Sequence, residues 1–321
     1  MRLLPLLLTL AAMATLVMAR LRQALAERKH PPTGQFLTLH GRRLHYRQVG
    51  KGPDIVLLHG ASGSMTEFDF GLMAGLADRF RVTAFDRPGL GWSDALPPGA
   101  DGLAAQAHHL AQACKTLEIT APLLVGQSYG GSVALAWALQ PAAPRALVLL
   151  GAPCMPWPGD LDIWYRLNRP ALGRWLMPWL AAAWIWPAYV RASLTGIFAP
   201  QPVPQGYADR IGTGLTLRRK TLAANVAQVN GLRAGLVAMQ PDYPRLTLPI
   251  EALHGLADTV VPHAIHARPF AALAPGCHLT TLPDTGHMPH HSHLAEVLAA
   301  IDRAHSRANM EKTGGPHGLA L

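Results

Sequence analysis

The ten residues 122–131, PLLVGQSYGG, constrain the fold of this chain more than any other segment. Residues 123–125 are an apolar run that suits a buried strand, and the apolar residues 133–139 suit a helix. Ser128 stands at the apex of the sharp turn between them, and glycines two residues to either side permit a strained backbone there. Such a turn lifts the hydroxyl above a sheet and aims the first helix amides, with their partial positive charge, at the same place. Gly-x-Ser-x-Gly alone also fits an ordinary loop serine, but the flanking strand and helix predict a nucleophile.

Strand-like and helix-like patterns alternate along most of the chain. We predict an amphipathic helix at 103–117 and strands at 36–39, 44–47, 55–58, 82–85, 123–125, 146–150, 250–253 and 279–282. This alternation predicts an α/β fold with a mostly parallel sheet and helices on both faces. The 321 residues, half of them hydrophobic, suffice for one large α/β domain with an insertion or for two small domains.

One region interrupts the alternation. Residues 156–235 have no strong strand pattern and contain six of the eight tryptophans, among short helical pieces punctuated by prolines. We predict a helical cap here, either a subdomain with its own small core or a lid that supplies apolar walls to a pocket above Ser128. A lid that contacts a membrane is a further alternative. The predicted core then comprises residues 35–155 and 236–302, followed by a flexible tail at 303–321.

The N-terminal segment is apolar from residue 3 to residue 19, apart from two threonines, with Arg2 before it and Arg20 and Arg22 after it. As a helix it would measure about 25 Å, against about 30 Å for a bilayer core, and the flanking arginines could reach the interface. We predict a transmembrane anchor at residues 1–19. The alternatives are a signal segment that is cleaved on export, and a core helix. The side of the membrane that carries the main domain stays open, and residues 20–34 are predicted to be a linker.

Charge and cysteine content exclude several classes of protein. The formal net charge is +9, but +4 of it lies in the first 30 residues and +2 in the last 19, and basic stripes with interleaved aromatic residues are lacking. We therefore predict basic ends and no nucleic-acid partner. The three cysteines are far apart and odd in number, which predicts free thiols and neither a disulfide framework nor a metal site.

A serine nucleophile requires a base, usually a histidine oriented by a carboxylate. Asp258 lies in the loop after the strand at 250–253, and His287 lies in the loop after the last strand. The order Ser128, Asp258, His287 is that of one known triad architecture. Asp284 competes as the acid but is more suited to shaping its loop, and His254 is expected to be structural. The nearby histidines 290, 291 and 293 fit no zinc spacing and have no partner cluster in the sequence, so we predict no metal and no cofactor.

The turn HGASG after the strand at 55–58 suggests the rest of the site. A loop there can place the backbone amide of Ala61 opposite that of Tyr129. Two amides about 3 Å from a carbonyl oxygen form an oxyanion hole.

Taken together, these motifs resemble the α/β-hydrolase superfamily. The matching segments are HG at 59–60, DRPGLGWS at 86–93, GQSYGG at 126–131, HGLAD at 254–258 and GH at 286–287. The resemblance implies an eight-stranded, mostly parallel sheet with the cap inserted after the sixth strand. It also implies Ser128 as nucleophile, Asp258 as acid, His287 as base, and Ala61 and Tyr129 as oxyanion donors. Superfamily members that use an aspartate at the elbow, such as haloalkane dehalogenases and epoxide hydrolases, are disfavoured by Ser128.

Three functions are compatible with the sequence. The first is a carboxylic-ester hydrolase that acts on a small apolar ester beside a membrane. The second keeps the triad but cleaves a carbon–carbon bond, or acts as a perhydrolase without a cofactor. The third is a non-enzymatic binding or accessory protein, which an intact triad disfavours. The natural substrate, the acyl length and the oligomeric state do not follow from the sequence.

Overall fold

The computed structural model describes residues 3–313, with side chains to residue 310, and is built around one eight-stranded sheet. The strands are β1 Gln35–Leu39, β2 Arg42–Val49, β3 Asp54–Leu58, β4 Arg81–Phe85, β5 Leu123–Gln127, β6 Ala146–Leu150, β7 Ile250–Gly255 and β8 Cys277–Leu282. Their order is β1-β2-β4-β3-β5-β6-β7-β8. The β1/β2 and β2/β4 pairs are antiparallel and the other pairs are parallel. The predicted fold class is confirmed.

Helices flank the sheet and fill the connection after β6. They are α1 Leu3–Lys29, α2 Leu72–Ala77, α3 Leu103–Thr116, α4 Tyr129–Ala138, α5 Ile163–Leu167, α6 Ala171–Trp184, α7 Pro187–Phe198, α8 Tyr207–Arg210, α9 Thr213–Thr216, α10 Arg219–Met239, α11 Ala267–Leu273, α12 Pro289–Ser292 and α13 Leu294–Thr313. Two 3₁₀ helices cover Met65–Asp69 and Gln240–Arg245. Helices α5–α10 form the cap, inserted after the sixth strand as predicted.

The core has two sides because successive strand residues point to opposite faces. In β3, Val56 and Leu58 pack with residues of α3 and α4 on one face. Ile55 and Leu57 pack with residues of α2 and α13 on the other. Burial on both faces explains why this strand reads as a continuous apolar run.

The cap combines a small core with an exposed aromatic surface. Trp164 and Trp179 pack around the buried alanines 181–183 of α6. Trp175, Trp184 and Trp186 are exposed instead. The cluster around these alanines also contains Ala19 of α1, so the cap shares its small core with the N-terminal helix, and half of the six tryptophans do not line any interior.

Two predicted boundaries are wrong. The segment predicted to be a linker continues α1 as far as Lys29, because residues 20–29 are good helix formers and the first proline is Pro31. The predicted flexible tail begins inside α13, whose Ala304 and Ala308 are buried against the sheet. These alanines extend the stripe of Val297 and Ile301 at helical spacing. The remainder of that prediction, residues 314–321, lies outside the described residues.

Candidate active site

Ser128 connects β5 to α4 in a strained conformation. Its φ of 49° and ψ of −124° lie outside the favoured regions for a residue with a side chain. The glycines around it permit close packing: a Cβ on Gly126 would lie 2.5 Å from the Cα of Gly131, and one on Gly130 would lie 2.1 Å from the carbonyl oxygen of Leu58. The turn leaves Ser128 half-exposed at the carboxyl edge of the sheet, among buried neighbours.

Asp258 and His287 lie together at the same edge, after β7 and β8. Nδ1 of His287 is 2.8 Å from Oδ2 of Asp258, and both side chains are buried. With Nδ1–H donating to the carboxylate, Nε2 of His287 is left as the basic nitrogen. The other carboxylate oxygen accepts the backbone amides of Val260 and Val261 at 2.9 and 2.8 Å. Burial opposes ionisation of Asp258, but hydrogen bonds from His254 and His287 hold its pKa well below its usual range.

Gly151 joins the elbow to this pair. The amide of Ser128 donates to the carbonyl of Leu150 at 2.9 Å, and the next residue is Gly151, with φ of 55°. A Cβ on Gly151 would lie 3.3 Å from Nδ1 of His287 and 3.5 Å from Oδ2 of Asp258. The peptide unit between Leu150 and Gly151 therefore lies between the backbone of Ser128 and the His287–Asp258 pair.

The predicted oxyanion donors lie on two adjacent segments. Tyr129 is the first residue of α4, so its amide has no acceptor within the helix. Ala61 follows Gly60, and a Cβ on Gly60 would lie 3.0 Å from Cβ of Ser128. The loop that carries Ala61 is thus packed against the elbow, and the roles of the two amides stay predictions.

Asp284 and His254 have the structural roles that the sequence suggested. Asp284 is exposed with a φ of 48°, which fits a residue that shapes its loop. His254 is buried, with Nε2 2.6 Å from the carbonyl oxygen of Val261, so it supports the Asp258 loop.

Arg87 is a buried residue beside the predicted oxyanion donors that sequence reasoning missed. It is fully buried, and its guanidinium donates to the carbonyls of His59 at 2.7 Å and Gly60 at 3.0 Å. It also donates to the side chains of Gln106 and Gln228, the latter from cap helix α10. In a trans peptide the C=O and N–H point in opposite directions, so a Gly60 carbonyl held towards Arg87 turns the Ala61 amide away from Arg87.

Arg87 belongs to the segment DRPGLGWS at 86–93, which supports the family resemblance, but the sequence alone assigns this arginine no role. The guanidinium of Arg87 also stacks over the ring of Tyr129, 4.4 Å from the ring centroid. Burial lowers the pKa of Arg87 to about 10, so it remains a cation at neutral pH. One buried cation therefore orders both segments that carry the predicted oxyanion donors.

The expectation that the histidines 290–293 have no partner cluster is wrong. Oε1 of Glu67 lies 3.2 Å from Nε2 of His290 and 2.5 Å from Nε2 of His291. These three donor atoms lie within 4.8 Å of one another, a spacing that a metal ion could use. The hydroxyl of Tyr207, in the cap, donates to the other carboxylate oxygen at 2.7 Å. Two imidazoles and one hydroxyl already satisfy the buried carboxylate, so the cluster is explained as a polar network that ties the cap to the core.

Three buried histidines should make stability depend on pH. Burial lowers the pKa of His59, His266 and His290 from 6.5 to about 4, since each imidazole loses solvation for its charged form. Between about pH 4 and pH 6.5 the unfolded chain binds more protons than the folded chain. The free energy of unfolding should therefore fall as the pH drops from about 6.5 to about 4. Each group contributes at most about 1.4 kcal/mol per pH unit. Urea unfolding midpoints at neutral and mildly acidic pH measure how steeply stability depends on pH. H290N should make this dependence weaker. A midpoint that stays constant between these pH values would contradict the prediction.

Comparisons with known proteins agree with this architecture. The sequence profile of the alpha/beta hydrolase family matches residues 55–300. The chain belongs to this family.

Particular relatives span different chemistries. An uncharacterized protein of Mycobacterium tuberculosis is 32% identical over 288 residues, which are 85% of this chain and 81% of that protein. A 2-hydroxy-6-oxo-2,4-heptadienoate hydrolase of Pseudomonas putida is 34% identical over 123 residues, 37% of this chain and 44% of that protein. A thermophilic esterase from Thermogutta terrifontis has a similar structure, with a TM-score of 0.67 and 22% identity, covering 86% of this chain and 99% of the other. The last likeness concerns the fold alone.

Proposed function

We propose that this protein is a serine hydrolase that cleaves a carboxylic ester through an acyl-enzyme. The observation that carries the proposal is the 2.8 Å contact between His287 and Asp258 beside the strained elbow of Ser128. This arrangement suits a base whose tautomer is fixed by a buried carboxylate, next to a hydroxyl lifted out of its strand.

In the proposed reaction, Nε2 of His287 takes the proton of the Ser128 hydroxyl as the oxygen attacks the ester carbonyl. The amides of Ala61 and Tyr129 stabilise the resulting oxyanion. The carbon–oxygen bond to the alcohol breaks, and His287 returns its proton to the leaving alkoxide. Water then attacks the acyl-enzyme with His287 again as base, which releases the acid and restores Ser128.

We further propose that α1 is retained as a membrane anchor. It is long and apolar enough to cross a membrane by length and composition, with a mean hydropathy of 1.9 over its most apolar window. Cleavage after the small residue Ala19 would remove that residue, and cleavage after Ala26 would remove both, although both are buried in the folded chain. Burial of these residues favours retention over a cleaved signal segment.

A longer apolar acyl group should raise the specificity constant kcat/KM of ester hydrolysis at this site. We expect kcat/KM for p-nitrophenyl esters to rise about fourfold per added methylene, since each buried methylene is worth about 0.8 kcal/mol, until the pocket is full. A steady-state series of acyl lengths measures this, with a fluorophosphonate probe and mass spectrometry locating the adduct. A rate that does not depend on acyl length would contradict an apolar substrate, and an adduct elsewhere than Ser128 would contradict the nucleophile.

A carbon–carbon bond hydrolase is the second candidate, favoured by the likeness to the Pseudomonas putida hydrolase. Such an enzyme can use the same three side chains. A vinylogous diketone assayed beside the esters separates the two: faster cleavage of the diketone would favour the second candidate.

A further inference from the structure

The N-terminal helix and the cap together expose an unusual amount of apolar surface. In α1 the leucines 3, 4, 6, 7 and 8 are all more than half exposed. Trp186 is 76% exposed and Trp175 is 65% exposed. We use the term cap face for five exposed residues on α6, on α7 and in the turn between them: Leu172, Trp175, Trp184, Trp186 and Tyr189. Exposed apolar surface of this extent marks an interaction site.

The second half of α1 is built into the cap. Nε1 of Trp184 donates to Oγ1 of Thr15 at 3.0 Å. Nη1 of Arg22 donates to the carbonyl of Ala183 at 2.8 Å. Ala19 is buried with the alanines 181–183 of α6. The helix is therefore attached to the cap from Thr15 onward, whereas residues 3–14 project from it.

The projecting part of α1 is too short to cross a bilayer by itself. Twelve helical residues measure about 18 Å, against about 30 Å of hydrocarbon. The apolar run of α1 ends at Arg20, the first charged residue that follows it. If the helix inserts as far as Arg20, Thr15 lies about 7.5 Å below the interface, because the two residues are five helical positions apart. Trp184, bonded to Thr15, must enter at the same level. Inserting α1 up to its first arginine thus requires the end of α6 to enter the membrane as well.

The exposed stripe of α6 continues the surface that contacts α1. Leu172 and Ala183 are eleven residues apart, and Trp175 and Ala182 are seven apart, so each pair lies within about 20° around the helix. Ala182 and Ala183 are buried in the cluster that includes Ala19 of α1. The same helical face is thus covered at one end and open to solvent at the other.

The composition of this part of the cap suits an anionic lipid surface. Residues 163–198 contain four arginines and neither aspartate nor glutamate, and two of the arginines, Arg166 and Arg169, pair with Asp160 just before this segment. Arg174 and Arg191 are exposed beside the apolar residues. Tryptophan and tyrosine favour the membrane–water interface, and basic side chains near it are attracted to anionic headgroups.

We propose that α1 and the cap face form one membrane-inserted surface, with the cap face at the boundary between headgroups and acyl chains of an anionic bilayer. The cap then faces the lipid, and the site beneath it draws an amphiphilic ester from the bilayer instead of from water. The substrate part of this inference rests on the proposed ester hydrolysis, and the membrane part does not.

The test uses the full chain bound to vesicles of phosphatidylcholine with about 30% phosphatidylglycerol. An environment-sensitive fluorophore is attached to one introduced cysteine at a time, L7C, L172C, W186C or K51C, in a C277S background. The other two native cysteines are buried. Lys51 is the matched control, since it is exposed in the β2–β3 loop of the core and outside the cap. Nitroxide lipids report contact with the bilayer, and an aqueous quencher reports contact with water.

We expect lipid nitroxides to quench positions 7, 172 and 186 several-fold more than position 51, with a shallow nitroxide most effective at 172 and 186. Quenching by lipid nitroxides at position 7 alone would show that α1 inserts while the cap stays in water, and this result would overturn the proposal. Quenching at none of the positions would overturn both the anchor and the proposal. Fluorophosphonate labelling of Ser128 in the same samples tests the hydrolase separately.

A charge placed on the cap face supplies a second readout. W175E should lower hydrolysis of a long-chain ester embedded in the vesicles about tenfold and leave hydrolysis of a water-soluble short-chain ester unchanged. Equal rates on the vesicle-embedded ester for W175E and the unaltered chain would overturn the supply of substrate from the bilayer.

Discussion

S128A is expected to lower ester hydrolysis by about 10⁴-fold or more and to abolish labelling by a fluorophosphonate. The hydroxyl is the only group of Ser128 that the substitution removes, and alanine fits wherever the serine backbone fits. The loss should therefore appear in kcat with little change in the melting temperature. Steady-state kinetics and thermal unfolding of the purified full chain measure the two effects.

S193A is the matched control for this prediction. Ser193 is exposed on α7, and its hydroxyl donates to the carbonyl of Tyr189 one turn earlier. Removing it should leave kcat and probe labelling unchanged. Retention of most of the ester hydrolysis by S128A would rule out Ser128 as the nucleophile.

R87M is expected to lower kcat by about 10–100-fold with a smaller effect on KM, because the Ala61 amide loses part of its fixed direction. Nδ1 of His59, 2.9 Å from the Gly60 carbonyl oxygen, would remain as its second donor. The carbonyls of His59 and Gly60 would keep no guanidinium donor, and the two glutamines would lose a partner. We expect the free energy of unfolding to fall by about 2–4 kcal/mol, since the unmade hydrogen bonds outweigh the removal of a buried charge. Kinetics at saturating substrate and urea unfolding measure the two effects.

Q106L separates stability from positioning. Gln106 accepts one hydrogen bond from the same guanidinium, but it contacts neither carbonyl of the Ala61 loop. Its replacement should lower the free energy of unfolding by about 1–2 kcal/mol and change kcat by less than about threefold. If R87M and Q106L lower kcat in proportion to their loss of stability, Arg87 has no positioning role.

The sheet and the elbow could be predicted from the sequence because their signals are local. Residues 123–125 are apolar without interruption, since β5 is buried on both faces, and glycines 126 and 130 occur where a side chain would collide with backbone. The candidate residues Asp258 and His287 could be proposed because parallel strands end at one edge, so a loop after a late strand has a limited choice of position.

The boundaries of α1 and α13 could not be predicted from local patterns. Residues 20–29 are good helix formers but polar enough to resemble a linker. Their contacts with the cap, such as Arg22 with Ala183 and Glu27 with Arg218, are not visible in the sequence. Ala304 and Ala308 are too small to give a strong hydrophobic signal, but they are buried because the sheet passes close to them.

The sequence by itself determined the alternation of strands and helices, the turn at Ser128 and the chain order of the candidate triad, since each depends on neighbouring residues. Only the tertiary structure decided what Arg87, Glu67 and the cap tryptophans contact. Arg87 bonds to Gln228 across 141 positions of the chain, and Glu67 bonds to His290 across 223. A buried charge must be satisfied by whichever polar groups the fold brings to it, and those partners leave no periodic trace along the chain.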